Sequence, residues 1–181
     1  MRCDSASAEL NFLNVHWKKN EPDRFNGNRK FSFEIFKNVS LFLVKFTDVS
    51  MLYLNKFHFY VDFLHFKKYG ISLTGAQYAM LKYGPCPDQY KPIYDVLVNK
   101  GYLKIKTGNS HSYELGCEPD LSLFDDREKK TLECIVALYE KLGAQEIYRL
   151  AHKERGYVET EECSFIDYKF AEFLQLPDQA G

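Results

Sequence analysis

Three residues in one short stretch, His58, Asp62 and His65, have the types and spacing that metal chemistry uses. At i, i+4 and i+7 they fall along one helical face, where two imidazoles and a carboxylate can hold zinc or a similar ion. The same positions suit polar side chains on an otherwise buried helix, each satisfied by a hydrogen bond from an adjacent segment. The second is the expected reading, so no metal and no cofactor is assigned. Asp62 is then expected to accept backbone N–H groups from residues 83–87 and lock that corner to the helix. Cys86 stands between Pro85 and Pro87. A thiol becomes a nucleophile when its pKa falls, and the nearest basic residue in sequence is Lys82, four positions away, so an inert thiol in a packed turn is expected.

The remaining candidates carry weaker signals. Cys3, Cys117, Cys134 and Cys163 are too scattered for a zinc finger, and there is no nucleophile elbow and no glycine-rich phosphate loop. Glu159, Glu161 and Glu162 read as a solvated acidic loop. Lys100, Lys104 and Lys106 could touch phosphates as a wing does, but Glu114 and Asp120 lie close by, and DNA binding is not expected of this chain alone. The residues themselves contain no visible catalytic set, which favours binding over catalysis.

The elements that position these residues centre on residues 52–87, LYLNKFHFYVDFLHFKKYGISLTGAQYAMLKYGPCP. Leu52, Leu54, Phe57, Phe59, Val61, Phe63, Leu64 and Phe66 cover several faces at helical spacing, so this helix is expected to be covered on several sides. Gly70 supplies a left-handed stop after Lys67 and Lys68. Thr74 offers an N-cap for a brief helix over residues 76–82. Pro85 and Pro87 then make a stiff corner. A helix from Ser32 precedes the central one. Tyr90, Ile93, Tyr94, Leu97 and Val98 predict a further helix closed by Gly101, and residues 102–106 and 112–115 predict a β-hairpin, an order like that of a winged-helix unit. Asp125 and Glu128 form a capping pair for a helix ending at Gly143, followed by a short helix over residues 144–155, an acidic loop and a last helical segment at residues 166–174.

Composition sets the class. With 15 Phe and 13 Tyr in 181 residues the core is aromatic, and a net charge of -1 argues against a strongly cationic nucleic-acid binder. No apolar run reaches the roughly 18 residues of a membrane span, and five cysteines without paired spacing suit a reducing, cytoplasmic setting. The expected fold is mainly α, a compact helical domain with a small β-hairpin. Residues 1–30 read as an N-terminal arm or the remnant of a preceding region, with a short apolar helix at residues 10–17, and residues 177–181 as a tail.

At FYVDFLHFKKYG, LTGAQYAMLKYGPCP, PDLSLF and IDYKFAEFL the chain resembles the Panacea domain, the SocA-like antitoxin family, in one collinear order over residues 31–176. Tyr60, Asp62, Phe63, Leu64 and His65 match the family's aromatic-acid-aromatic helix. Thr74, Gly75, Tyr78, Tyr83, Gly84, Pro85 and Pro87 match its turn-and-corner motif, with Cys86 where valine is usual. A Ser-His-Glu run and a tryptophan of the family are represented by Ala151, His152, Lys153, Glu154 and Tyr157. The resemblance implies an antitoxin of a toxin–antitoxin system, in settings that include phage defence, which neutralises a cognate toxin by direct protein contact. Some relatives deliver the toxin to a bacterial protease as adaptors, and others bind DNA through an added N-terminal region. Tyr78, Tyr83, Tyr90 and Tyr94, near the corner, are expected either to face the toxin or to fill the core.

Overall fold

The computed structural model describes residues 21–108 and 112–176; the helix expected at residues 10–17 and the tail at 177–181 lie outside the described residues. The first helix, α1 (Phe33–Phe46), starts at Ser32, whose hydroxyl accepts the Ile35 N–H at 3.3 Å. The central helix α2 (Met51–Tyr69) is buried without a break from Leu54 to His65 and stops at Gly70, in the left-handed conformation with φ 74°. A helix stays dry on every side only when neighbours cover every side. Here α1, the chain from 72 to 87, and the later helix α4 (Asp126–Ala151) share that task.

Between Gly70 and α3 (Tyr90–Asn99) the structure corrects the reading of the sequence. Residues 76–82 do not form a helix. Instead β1 (Tyr78–Leu81) pairs antiparallel with β2 (Gly84–Pro87) across a two-residue turn, Lys82 and Tyr83. The physical reason is non-local. Pro85 and Pro87 stand opposite Met80 and Tyr78 at positions that do not bond across the hairpin, so their missing N–H groups cost the ladder nothing, and Tyr78 and Met80 turn their own backbone groups to the far edge of β1. The free edge of β1 is completed by a segment some eighty residues later: Met80 N–H donates to Ser164 O, Cys163 N–H to Met80 O and Ile166 N–H to Tyr78 O, at 2.7–2.9 Å. The proline corner is therefore one half of a hairpin held from both sides.

The rest follows the sequence closely. The helix α3 is followed by Gly101 at φ 75°, then by the hairpin of β3 (Leu103–Ile105) and β4 (Tyr113–Leu115). Asp125 and Glu128 form the expected capping box at the start of α4. Gly143, with non-helical angles, divides α4 into two legs, as its position after Leu142 suggests. A single turn, α5 (Arg155–Val158), opens the stretch expected to be a loop, and the closing segment Tyr168–Phe173 is a 3-10 helix. Phe36, Phe57, Phe59, Phe63, Tyr78 and Tyr168 form the middle of the core, with the Phe63 and Tyr168 rings stacked at 4.2 Å.

Residues 21–31 strap across the turn that follows α2. Ser72 N–H donates to Gly27 O, Ser32 N–H to Thr74 O, and Arg29 reaches both Leu73 O at 2.6 Å and Glu128 at 2.9 Å. Gly75 makes the crossing possible. It sits at φ 77°, and a Cβ there would lie 2.4 Å from Lys30 O and 2.7 Å from Phe31 N, both backbone atoms that cannot swing aside. Gly75→Ala is expected to destabilise the fold by about 3 kcal/mol or more, through combined strain and collision. A chemical-denaturation midpoint unchanged from the parent would contradict that.

Candidate functional site

His58, Asp62 and His65 of α2 are all buried, and each meets a different neighbour. Asp62 accepts four hydrogen bonds: from Leu73 N–H at 2.8 Å, Thr74 N–H at 2.6 Å, the Thr74 hydroxyl at 2.5 Å and the Tyr78 hydroxyl at 2.7 Å. Burial pushes its carboxyl above the usual range, and the Thr74, Tyr78 and Leu73 donors pull it back. So Asp62 does lock a following turn to α2, but the turn is residues 73–78, not the corner at 83–87. His58 bonds through Nε2 to the Ser40 hydroxyl on α1 at 2.9 Å and stacks on Phe36 at 4.0 Å. His65 bonds through Nδ1 to the Thr131 hydroxyl on α4 at 2.9 Å.

These three residues share a helical face but are spread along about 10 Å of helix axis, so each level meets a different element. The structure does not bring them together around one point. Among the described residues no group of three or more His, Cys, Asp or Glu side chains is arranged to hold a metal ion.

The protonation of the two imidazoles can be assigned from their partners. Ser40 donates its hydroxyl proton to Phe36 O, and Thr131 donates to Arg127 O. Each hydroxyl can only accept from the ring, so His58 carries its proton on Nε2 and His65 on Nδ1. His58 Nδ1 is then a bare acceptor, buried and without a hydrogen-bond partner among the described residues. Burial lowers the His58 pKa to about 3 and that of His65 to about 4, so both rings are neutral.

Sequence reasoning missed a second buried group. Lys56 is fully buried, and its Nζ donates to Pro85 O at 3.0 Å and lies 3.5 Å from Cys86 Sγ. Asn55 Nδ2 lies 3.7 Å from the same sulfur, and the Tyr94 hydroxyl donates to Asn55 Oδ1 at 3.0 Å, which fixes the amide's orientation. Burial lowers the Lys56 pKa and raises that of Cys86, each opposed by the other. Gly84 leaves the space this needs: a Cβ there would lie 2.7 Å from Lys56 Cε and 2.8 Å from His152 Cε1. The available signal was a lysine in the middle of an apolar run. Its partner thirty residues on could not be read from spacing.

The four tyrosines near the corner separate into two kinds. Tyr78 (0% exposed) and Tyr94 (1%) are core residues with their hydroxyls engaged, which corrects the expectation that they could face a partner. Tyr83, at the tip of the β1–β2 hairpin, is 58% exposed. Tyr90, partly buried, lines an open groove of about 330 Å³ with Ala79, Leu81, Pro87, Lys91 and Phe165, the last 39% exposed. The groove borders the hairpin, which Lys56 ties to α2. Tyr157 braces the same hairpin from behind, donating to Leu81 O at 2.9 Å. Glu154 is buried and accepts from the Tyr60 hydroxyl and Gln175 N–H, and His152 Nδ1 bonds Tyr148 O, so both serve packing. On the other hairpin, Lys106 pairs with Asp48 at 2.8 Å and Lys104 lies opposite Glu114, which leaves little free positive charge for phosphate.

The scaffold is mainly helical, the buried Lys56 ties the β1–β2 hairpin to α2, and an open groove lies beside that hairpin. The family model described as antitoxin SocA-like, Panacea domain, matches residues 54–156, more than half of the chain, and the chain belongs to that family. The match spans α2, both hairpins and α4, including Asp62, His65, Thr74, Gly75, Tyr83, Gly84, Pro85 and Pro87. Comparisons with curated proteins and with solved structures gave no match. No helix among the described residues is long and apolar enough to cross a membrane.

Proposed function

We propose that the chain is an antitoxin which neutralises a cognate protein toxin in the cytoplasm by binding it directly, performing no reaction, and that the hairpin groove is where the toxin docks. The observation that carries this reading is the groove itself: the partly buried Tyr90, at the start of α3, and the exposed Phe165 line it beside a hairpin that Lys56 ties to α2. Aromatic anchors on a rigid support dominate interface energy, because little side-chain or backbone freedom is lost when they are covered. Tyr83 at the tip would extend the same surface.

The test is co-expression with the product of the adjacent gene, scored for growth and for a co-purified complex. The parent chain is expected to restore growth and to hold the toxin. Tyr90→Ala and Phe165→Ala are each expected to weaken the complex about tenfold or more, with Tm little changed. Retention of full affinity by both variants, in folded protein, would place the interface elsewhere. Loss of the toxin from cells, with a shortened half-life instead of a stable complex, would replace masking with delivery to a protease.

A further inference from the structure

Beneath the groove two nucleophiles of different kinds share one dry compartment. Lys56 has no carboxylate partner among the described residues; its Nζ is held by Pro85 O and by the Cys86 sulfur. Nζ and Sγ are 3.5 Å apart, close to the separation at which oriented groups react, about 3–3.5 Å. Both atoms are fixed. Pro85 is locked by its ring and its strand, and Asn55, oriented by Tyr94, holds the sulfur from the other side. Gly84 has no side chain to separate them from the neighbouring His152 ring.

We propose that Lys56 and Cys86 are a modification site, at which a peroxide drives a covalent sulfenamide link between Nζ and Sγ and so fastens the hairpin to α2. In the first step the Lys56 amine takes the Cys86 thiol proton, the sulfur attacks one peroxide oxygen, the O–O bond breaks, and the amine returns that proton to the departing oxygen. The sulfur becomes a sulfenic acid and the other oxygen leaves as water, two electrons having passed from sulfur to peroxide. In the second step the Nζ lone pair attacks the sulfenyl sulfur. The S–O bond breaks, and the departing hydroxide takes one proton from Nζ and leaves as a second water. Low-molecular-weight thiols reverse the link: two of them become a disulfide, returning a hydrogen each to nitrogen and sulfur.

Two features favour this course over further oxidation of the sulfur. The amine lies 3.5 Å from the sulfur, and burial lowers its pKa, which favours the uncharged form whose lone pair the second step uses. The amine is also already in place, whereas a second peroxide must diffuse to a thiol that is only 4% exposed. Neither depends on the antitoxin reading.

The experiment treats the purified full chain with hydrogen peroxide, digests it without reductant and maps the peptides by mass spectrometry. The expected product is a linked pair containing Lys56 and Cys86, lighter than the two peptides by two hydrogens. It disappears on treatment with dithiothreitol and does not form in Cys86→Val. The linked protein is expected to melt higher than the untreated one, and the increase to vanish on reduction. Cys117 and Cys163, both exposed, report that the oxidant acted. If they are oxidised while Cys86 is recovered as a free thiol or a sulfinic acid and Lys56 is unmodified, the proposal is overturned.

Discussion

Replacing Asp62 with alanine is expected to cost about 3–5 kcal/mol and to lower Tm by roughly 10 °C, because it strands buried donors. Two of the four are backbone N–H groups, of Leu73 and Thr74, which cannot turn towards water without unfolding the turn. The other two are hydroxyls, which can rotate. That difference makes a prediction within the prediction. In Asp62→Asn the amide oxygen can still receive both N–H groups, while its NH2 meets the Thr74 and Tyr78 hydroxyls, which can reverse and accept. Asp62→Asn is therefore expected to cost only about 1–2 kcal/mol. Denaturation midpoints of the two variants, with hydrogen exchange at Leu73 and Thr74, check this. Equal losses in both would show that the carboxylate's charge, not the backbone donors, decides the matter. The turn leads directly into β1, so Asp62→Ala is also expected to loosen the groove and to weaken any partner that uses it.

Acid is expected to destabilise the protein through His58. Its pKa is about 3 in the folded chain and about 6.5 in the unfolded one, so between these values the unfolded state binds more protons. Stability held above about pH 6.5 is therefore lost as pH falls towards 3, at up to about 1.4 kcal/mol per pH unit. His65, with a folded value of about 4, acts in the same direction over a narrower window. Asp62 and Glu154 act against this trend, since burial raises their pKa values and protonation then favours the folded form. The comparison that isolates the imidazole is His58→Leu. It removes the orphaned Nδ1 and leaves Ser40 its bond to Phe36 O. The variant is expected to match or exceed the parent's stability at about pH 5, and to lose about 1 kcal/mol less per pH unit between about pH 6 and 4. Urea denaturation at stepped pH measures both. Parallel curves for parent and variant would mean that His58 takes up its proton without unfolding the chain.

The hairpin shows where local reasoning stops. Residues 76–82 contain nothing that forbids a helix, and Thr74 is a good cap in type. What overrides them is a segment from the far end of the chain, residues 163–166, which pairs with the outer edge of β1 through the backbone groups of Tyr78 and Met80. Local propensity is worth tenths of a kcal/mol per residue, and buried backbone groups left unpaired cost more. Tyr78 and Tyr94 teach the same lesson for the site. Their type suits either a core or an interface, and their depth depends on which elements lie across them.

By itself the sequence determined the mainly helical class, the dry central helix, its glycine stop, the capping box on α4 and the membership signalled by the motif around Asp62 and the two prolines. These are matters of side-chain type at fixed spacing, and neighbours along the chain are enough to decide them. The tertiary structure alone decided which donors Asp62 receives, that Lys56 lies against Cys86, and which aromatic residues remain at the surface. Those facts depend on contacts between residues tens of positions apart, and the chain carries no local mark of them until it has folded.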